Sequence, residues 1–217
     1  MWSLWVPAGT AAAAGITALD LAKEGYLGAR KPLRGEFGLY GLYFRGGYDE
    51  NELLGELGKR NEIENTSMKP YPSCKYTHHP IYTTLKLMED NHLRPEDIDE
   101  VTVVTSKMSA TQCGFDENGL PKSTPPTGAA AQFSIPFTVA AAMVRRKVTL
   151  EEFTEKSIAD PEIRAAAGKV RIEVDPRKED MGFLYPPVDI TMKTRDGKVY
   201  SGCEFYVKGH PRNPFTL

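Results

Sequence analysis

A chain of 217 residues falls between one and two domains of roughly 150, long enough for a substantial hydrophobic core. Apolar residues at 41% and charged residues at 26% are globular proportions, which excludes disorder as the main state. With 27 Lys and Arg against 29 Asp and Glu the formal charge is −2, too balanced for a nucleic-acid binder.

Along the chain, Asp20 is the first charged side chain, so residues 1–19 invite comparison with a leader or a membrane span. They lack a basic start and carry Pro7, Gly9, Thr10 and Gly15 among small alanines, so neither is expected and the chain reads as soluble. Cys74, Cys113 and Cys203 form no CxxC pair and are odd in number. That argues against a disulfide framework or a zinc ribbon and implies a reducing compartment, the cytoplasm.

Small and apolar residues from Gly9 to Lys23, followed by Gly25, predict a tightly packed helix closed by a glycine. Glycines interleaved with Phe37, Leu39, Tyr40, Leu42, Tyr43 and Phe44 predict a turn-rich connector at a domain junction. Asp49 with Glu52 opens a short helix through Leu57. The prolines of Lys69-Pro-Tyr-Pro force an extended segment, and a helix restarts near Pro80 and runs to about Asn91.

Ile98 to Lys107 is strand-like, and Gly114 to Gly128 is a long loop. Gln132 to Arg146 is apolar around most of its circumference and predicts a buried helix with Pro136 in its first turn. Thr149 with Glu152, and Asp160 with Pro161, are two further helix starts. Val170 to Val174 is a strand, and the runs Val188 to Thr194 and Val199 to Val207 flank Asp196-Gly197, the signature of a type I′ hairpin. The order predicts an α+β fold: a helical segment over 1–60, then a two-layer α/β sandwich over 61–217 with an antiparallel hairpin.

One stretch concentrates reactive groups: Lys69, Cys74, Lys75, His78 and His79, with no acidic residue among them. Such a cluster attracts carboxylates, and it also fits a solvated loop with a helix-capping histidine; on the residues alone both stand. A zinc set would need Cys74, His78 and either His79 or Cys113, a spacing short of a tetrahedral pattern, so no metal is expected. A Cys/His nucleophile pair lacks an orienting third residue. No phosphate-cradling glycine motif occurs, which leaves nucleotide binding unsupported. Gln132 and Ser134 sit among apolar neighbours where an amide or hydroxyl needs a partner, as a cap or at a ligand.

Taken together, AGTAAAAGITALDLAKEGYLG from Ala8, KPYPSCKYTHHPI from Lys69, LRPEDIDEVTVVT from Leu93, AAQFSIPFTVAAAM from Ala130 and KGHPRNP from Lys208 resemble the MmgE/PrpD family. Their order and spacing follow that family across nearly the whole chain. The family includes 2-methylcitrate dehydratases, cis-aconitate decarboxylases and related isomerases.

The resemblance implies a large helical domain with an α+β lid, a site in the cleft between them, a homodimer, and no metal or organic cofactor. It implies a lyase acting on a small di- or tricarboxylic acid, by proton abstraction next to a carboxylate and loss of a β-leaving group. Lys69 matches a site lysine for carboxylate binding or charge stabilisation, and His78 a recurring histidine of the motif; these are the expected catalytic residues. Cys74 stands at a site-lining position where some members have histidine. Cys74, His79, Gln132 and Ser134, with Lys69, complete the expected substrate-binding set. Phe137 replaces a tyrosine that many members use in proton transfer, and a family lysine expected near Leu4 is missing.

Set against the family, the chain reads as beginning late in the helical domain and stopping at the junction Pro211-Arg212-Asn213-Pro214. The aspartate and histidines expected to do most of the acid–base work would then come from a separate helical chain. The alternative is a non-catalytic fragment or subunit.

Overall fold

The computed structural model describes residues 5–45, 47–181 and 185–216. Contacts divide the chain into two compact units, Met1–Glu64 and Asn65–Leu217.

The first unit is helical. Helix α1 spans Trp5–Lys23 and ends as its sequence predicts: Gly25 takes φ +87°, its N–H bonds Ala22 O at 3.1 Å, and Tyr26 N–H bonds Leu21 O at 3.0 Å. This paired bonding caps the last turn with a left-handed glycine. Close packing of the helix is not observed, because Val6 through Lys23 are exposed and no atom lies within 4 Å of where a Cβ on Gly9 or Gly15 would stand. Its apolar residues are spread around the whole circumference and form no single stripe.

The expected connector contains a helix of its own, α2 (Leu39–Phe44), and Tyr40 stacks on Tyr48 with ring centroids 4.2 Å apart. Helix α3 is shorter than its sequence suggests, Glu50–Leu54, and its cap is the predicted one: Asp49 Oδ1 accepts from Asn51 N–H at 2.8 Å.

The second unit is a mixed sheet covered by helices. Helix α4 (His78–Asp90) leads to strand β1 (Ile98–Thr105), the short helix α5 (Lys107–Ser109) and a π-helical turn over Ala110–Gly114. After a loop come α6 (Gly128–Ala131), α7 (Ile135–Arg145), α8 (Glu155–Ile158) and α9 (Pro161–Ala167). Strands β2 (Val170–Val174), β3 (Asp189–Thr194) and β4 (Val199–Cys203) complete a sheet of order β2-β1-β3-β4. β2 pairs parallel to β1, while β3 pairs antiparallel to both β1 and β4. The result is the α+β sandwich with a hairpin that the element order predicts.

Two sequence features set the register. Ile98 and Val101 are three apart and would face opposite ways on a regular strand, yet both are fully buried. A register shift between Ile98 and Glu100 against β3 absorbs the extra residue and returns both to the core face. At the hairpin, Thr194 N–H bonds Lys198 O and Gly197 N–H bonds Thr194 O, with Gly197 at φ +85° and Asp196 outside the left-handed region. This is a three-residue loop with the glycine as a bulge, not the type I′ turn expected, because Asp-Gly supports either and only the glycine here has positive φ.

Helix α7 is the centre of the helical layer and packs against α4 and α9. Ile135 through Met143 are buried, as the apolar circumference predicts, and meet Ile81, Val101, Ile163, Ile190 and Met192 in one core. Helix α4 lies close to β4 at Gly202, where a Cβ would stand 3.2 Å from Thr83 Cγ2 and 3.3 Å from Leu87 Cδ2. Gly202→Val is therefore expected to force α4 off the sheet and destabilise the unit by about 1–3 kcal/mol. Urea unfolding checks this, with a lowered midpoint expected.

Candidate active site

The segment ahead of α4 is held by bonds to distant backbone. Prolines 70 and 72 keep it extended, and Gln132, at the end of α6, clamps it twice: its Nε2 donates to Pro72 O at 2.8 Å, and its carbonyl accepts from Cys74 N–H at 2.8 Å. Thr77 Oγ1 donates to Cys74 O at 2.8 Å and lies 2.7 Å from Ser73 Oγ, closing the turn over Lys75–Thr77 that leads into α4. Ser134 Oγ caps α7 by accepting from Phe137 N–H at 3.0 Å and donates to Lys122 O at 2.6 Å. Both polar residues of the Ala131–Phe137 run thus have partners within the protein.

The reactive groups separate around this turn. Lys69 Nζ donates to Ser73 O at 3.0 Å and lines a cavity of about 380 Å³ together with Ser67, Lys75, His79, Tyr185 and His210. Cys74 is not among the residues lining that cavity, and its thiol interacts with that of Cys113. The neighbouring Cys113 thiol, the Tyr76 backbone N–H and the ammonium groups of Lys69 and Lys122 outweigh burial and hold the Cys74 thiol down to about 6. Cys74 in turn, with burial, pushes the Cys113 thiol up.

His78 is fully buried behind the turn. Its Nε2 lies 3.4 Å from Ser73 O, and its ring meets Tyr71 edge-on at 5.3 Å. His78 is not among the residues that line the cavity of Lys69 and His79. Burial, reinforced by Lys75, pushes its imidazole down to about 3. His79, whose Nε2 lies 3.4 Å from Phe205 O, is pushed down to about 4, again chiefly by burial.

Phe137 is fully buried in the core with its ring 6.2 Å from Phe153, and Leu4 lies outside the described residues. Among the described residues no group of three or more His, Cys, Asp or Glu side chains is placed to hold a metal ion. Cys74, His78 and His79, the core of the possible zinc set, face three different surroundings. Among the described residues no helix is long and apolar enough to cross a membrane.

Sequence reasoning missed His210, which joins the cavity from the C-terminal segment with no spacing signal to connect it to the Lys69–His79 stretch, and it weighed Cys113 beside Cys74 only as a metal ligand.

The sequence pattern of the MmgE/PrpD C-terminal domain matches residues 71–217. The chain belongs to the MmgE/PrpD family. No curated protein matches it. The family match covers most of the second unit, so the lysine-lined cavity and the cysteine pair both belong to an MmgE/PrpD C-terminal domain, with Lys69 just ahead of the matched residues.

Two measurements follow from the site's electrostatics. Because His78 and His79 have folded values below the ordinary 6.5, the unfolded chain binds more protons as pH falls through that range. Their contribution to stability is present above pH 6.5 and is lost on acidification towards pH 4 and below, at up to about 1.4 kcal/mol per pH unit for each histidine. Urea unfolding at a series of pH values is expected to show this decline, and His78→Gln to flatten it. Cys74 is also expected to be the first cysteine alkylated by iodoacetamide, with half-maximal rate near pH 6, while Cys203, pushed up to about 12 by burial, lags. Peptide mass spectrometry of the alkylated chain reads both.

Proposed function

We propose that this chain supplies the lid side of the site of a lyase that dehydrates a small di- or tricarboxylic acid such as 2-methylcitrate. The observation that carries the reading is the lining of the cavity: Lys69 and Lys75 bring positive charge and His79 and His210 bring imidazoles, with no Asp or Glu among the described residues that line it. A pocket of donors without an acceptor charge is complementary to carboxylates.

In the proposed reaction a proton leaves the carbon next to a carboxylate, charge builds on that carboxylate, and the β-hydroxyl departs as water. Lys69, held by Ser73 O with further N–H groups left over, binds the carboxylate and stabilises the developing charge. Cys74, carried on the same turn, lines the part of the proposed site that lies outside this cavity. His78 and Gln132 act as positioning residues, fixing Ser73 and the 72–74 backbone. Ser134 serves the same turn through its cap on α7. Phe137 offers no hydroxyl, so the base and the acid come from the helical side of the cleft. A complementary helical partner supplies that side, and the site of action is the cytoplasm.

A reading as a subunit that needs such a partner is favoured by one feature of the first unit. Leu27, Leu33, Phe37, Leu42, Tyr43 and Leu57 are all exposed, an arrangement that drives association.

Dehydration of 2-methylcitrate and of citrate, followed by alkene absorbance, tests the proposal on the chain alone and with a complementary helical chain. Turnover is expected only from the assembled protein, and Lys69→Ala is expected to lower it by about 10²–10³-fold. Full activity in Lys69→Ala, or no turnover of either acid by the assembled protein, would overturn the reading.

A further inference from the structure

Cys74, Cys113 and Cys203 are all free, and the first two meet although they lie far apart in the chain. A ladder of hydrogen bonds brings them together. Cys74 N–H donates to Gln132 O at 2.8 Å; Ser134, just beyond Gln132, donates through Oγ to Lys122 O at 2.6 Å; and Lys122 N–H donates to Gly114 O at 3.0 Å. Gly114 is the chain neighbour of Cys113. The turn over Lys75–Thr77 thus lies against the π-helical turn over Ala110–Gly114, and the Cys74 and Cys113 thiols interact between them. That second turn is seated on the sheet, since a Cβ on Gly114 would stand 3.2 Å from Ile172 Cγ2 of β2. π-Helical turns of this kind recur at functional sites.

The two thiols differ in access. Cys74 is half-buried, and the ammonium groups of Lys69 and Lys122 act on its sulfur; Lys122 is held there by Gln112 O, which accepts from its Nζ at 2.6 Å. Cys113 is fully buried. A reagent from solution therefore reaches Cys74 first. Cys203 stands apart on β4, where burial and the Asp189 carboxylate raise its thiol. An accessible, cation-flanked cysteine beside a second thiol is the arrangement that senses peroxide, and transient disulfides of this kind are the ones found in reducing compartments.

We propose that Cys74 and Cys113 are a reversible redox pair, in which hydrogen peroxide oxidises Cys74 and Cys113 then closes a disulfide to it. The Cys74 thiolate attacks one oxygen of the peroxide, the O–O bond breaks, and a sulfenic acid forms; the departing hydroxide takes up the proton that the thiol had lost. Cys113 then attacks the Cys74 sulfur, the S–O bond breaks, and the hydroxide leaves as water with the Cys113 proton. The thiols together lose an electron pair, and the peroxide ends as water. A dithiol restores both cysteines by exchange. The disulfide adds a covalent tie between the turn that carries Lys69 and the π-helical turn, beside the Gln132 clamp. The pair needs no lyase chemistry, so loss of the lyase reading leaves it intact.

Hydrogen peroxide added in slight excess to the fully reduced whole chain, followed by iodoacetamide in urea and peptide mass spectrometry without reductant, tests the pair. The expected product is a peptide joining Cys74 to Cys113, with Cys203 alkylated as before and both linked cysteines recovered by dithiothreitol. Cys74→Ser is expected to abolish the link and leave position 113 reduced. Cys113→Ser is expected to raise capture of the Cys74 sulfenic acid by dimedone about tenfold, because nothing resolves it. Cys203→Ser is expected to form the link at a rate within about twofold of the unaltered chain.

A disulfide from Cys74 to Cys203 or to a second copy of the chain would overturn the pair, as would Cys74 sulfinic acid beside a free Cys113. So would both cysteines remaining reduced in peroxide that fully oxidises glutathione in the same solution. Should Cys113→Ser fail to fold, the peptide map of the unaltered chain decides alone.

Discussion

The clamp made by Gln132 is the interaction on which the geometry of the site depends. One residue at the junction of α6 and α7 donates through its side chain to Pro72 O and accepts through its backbone from Cys74 N–H. It thereby joins a proline-stiffened segment to the buried helix α7. Residues Lys69, Cys74, Lys75 and the start of α4 inherit their positions from that attachment. Because α7 is fixed by the core through Ile135, Val139 and Met143, the turn is tied to that core.

The charge pattern follows from the same attachment. Pinning the turn brings two lysines towards one cavity, and folding the C-terminal segment back against residue 68 adds a histidine to its lining. Burial keeps His78 and His79 uncharged at neutral pH, so they furnish hydrogen bonds and packing while the lysines furnish the charge. Elsewhere on the turn the neighbouring Cys113 thiol and the lysine ammonium groups lower the Cys74 thiol below its ordinary range.

Much of the fold is legible in the sequence wherever the signal is local. Asp160 Oδ1 accepts from Glu162 N–H at 2.8 Å and Ile163 N–H at 3.3 Å, and Thr149 with Glu152 forms a reciprocal capping box, both as their spacing announces. Strand β2 runs over Val170–Val174, the range its β-branched residues suggest. The misreadings arise where a local pattern permits two outcomes: Asp196-Gly197 accommodates either hairpin turn, and a short aromatic run between glycines can wind into α2. The site is less legible. The Lys69–His79 cluster is visible as composition, but the division of its members between the cavity, the core and the thiol pair depends on which way each residue faces after the clamp is made. Partners such as Cys113 and His210 lie far along the chain, and only tertiary structure brings them near.

The parallel pairing of β1 with β2 has a consequence for how this protein is born. β1 sits in the middle of the sheet, yet its neighbours on both sides, β2 and β3, are the later products of translation, and the intervening chain must first lay down α7. A ribosome-bound chain that has emerged only as far as α9 therefore carries a β-branched strand with both hydrogen-bonding edges open. Such a topology of distant contacts closes slowly, and the interval before β3 arrives is when a chaperone has most to protect.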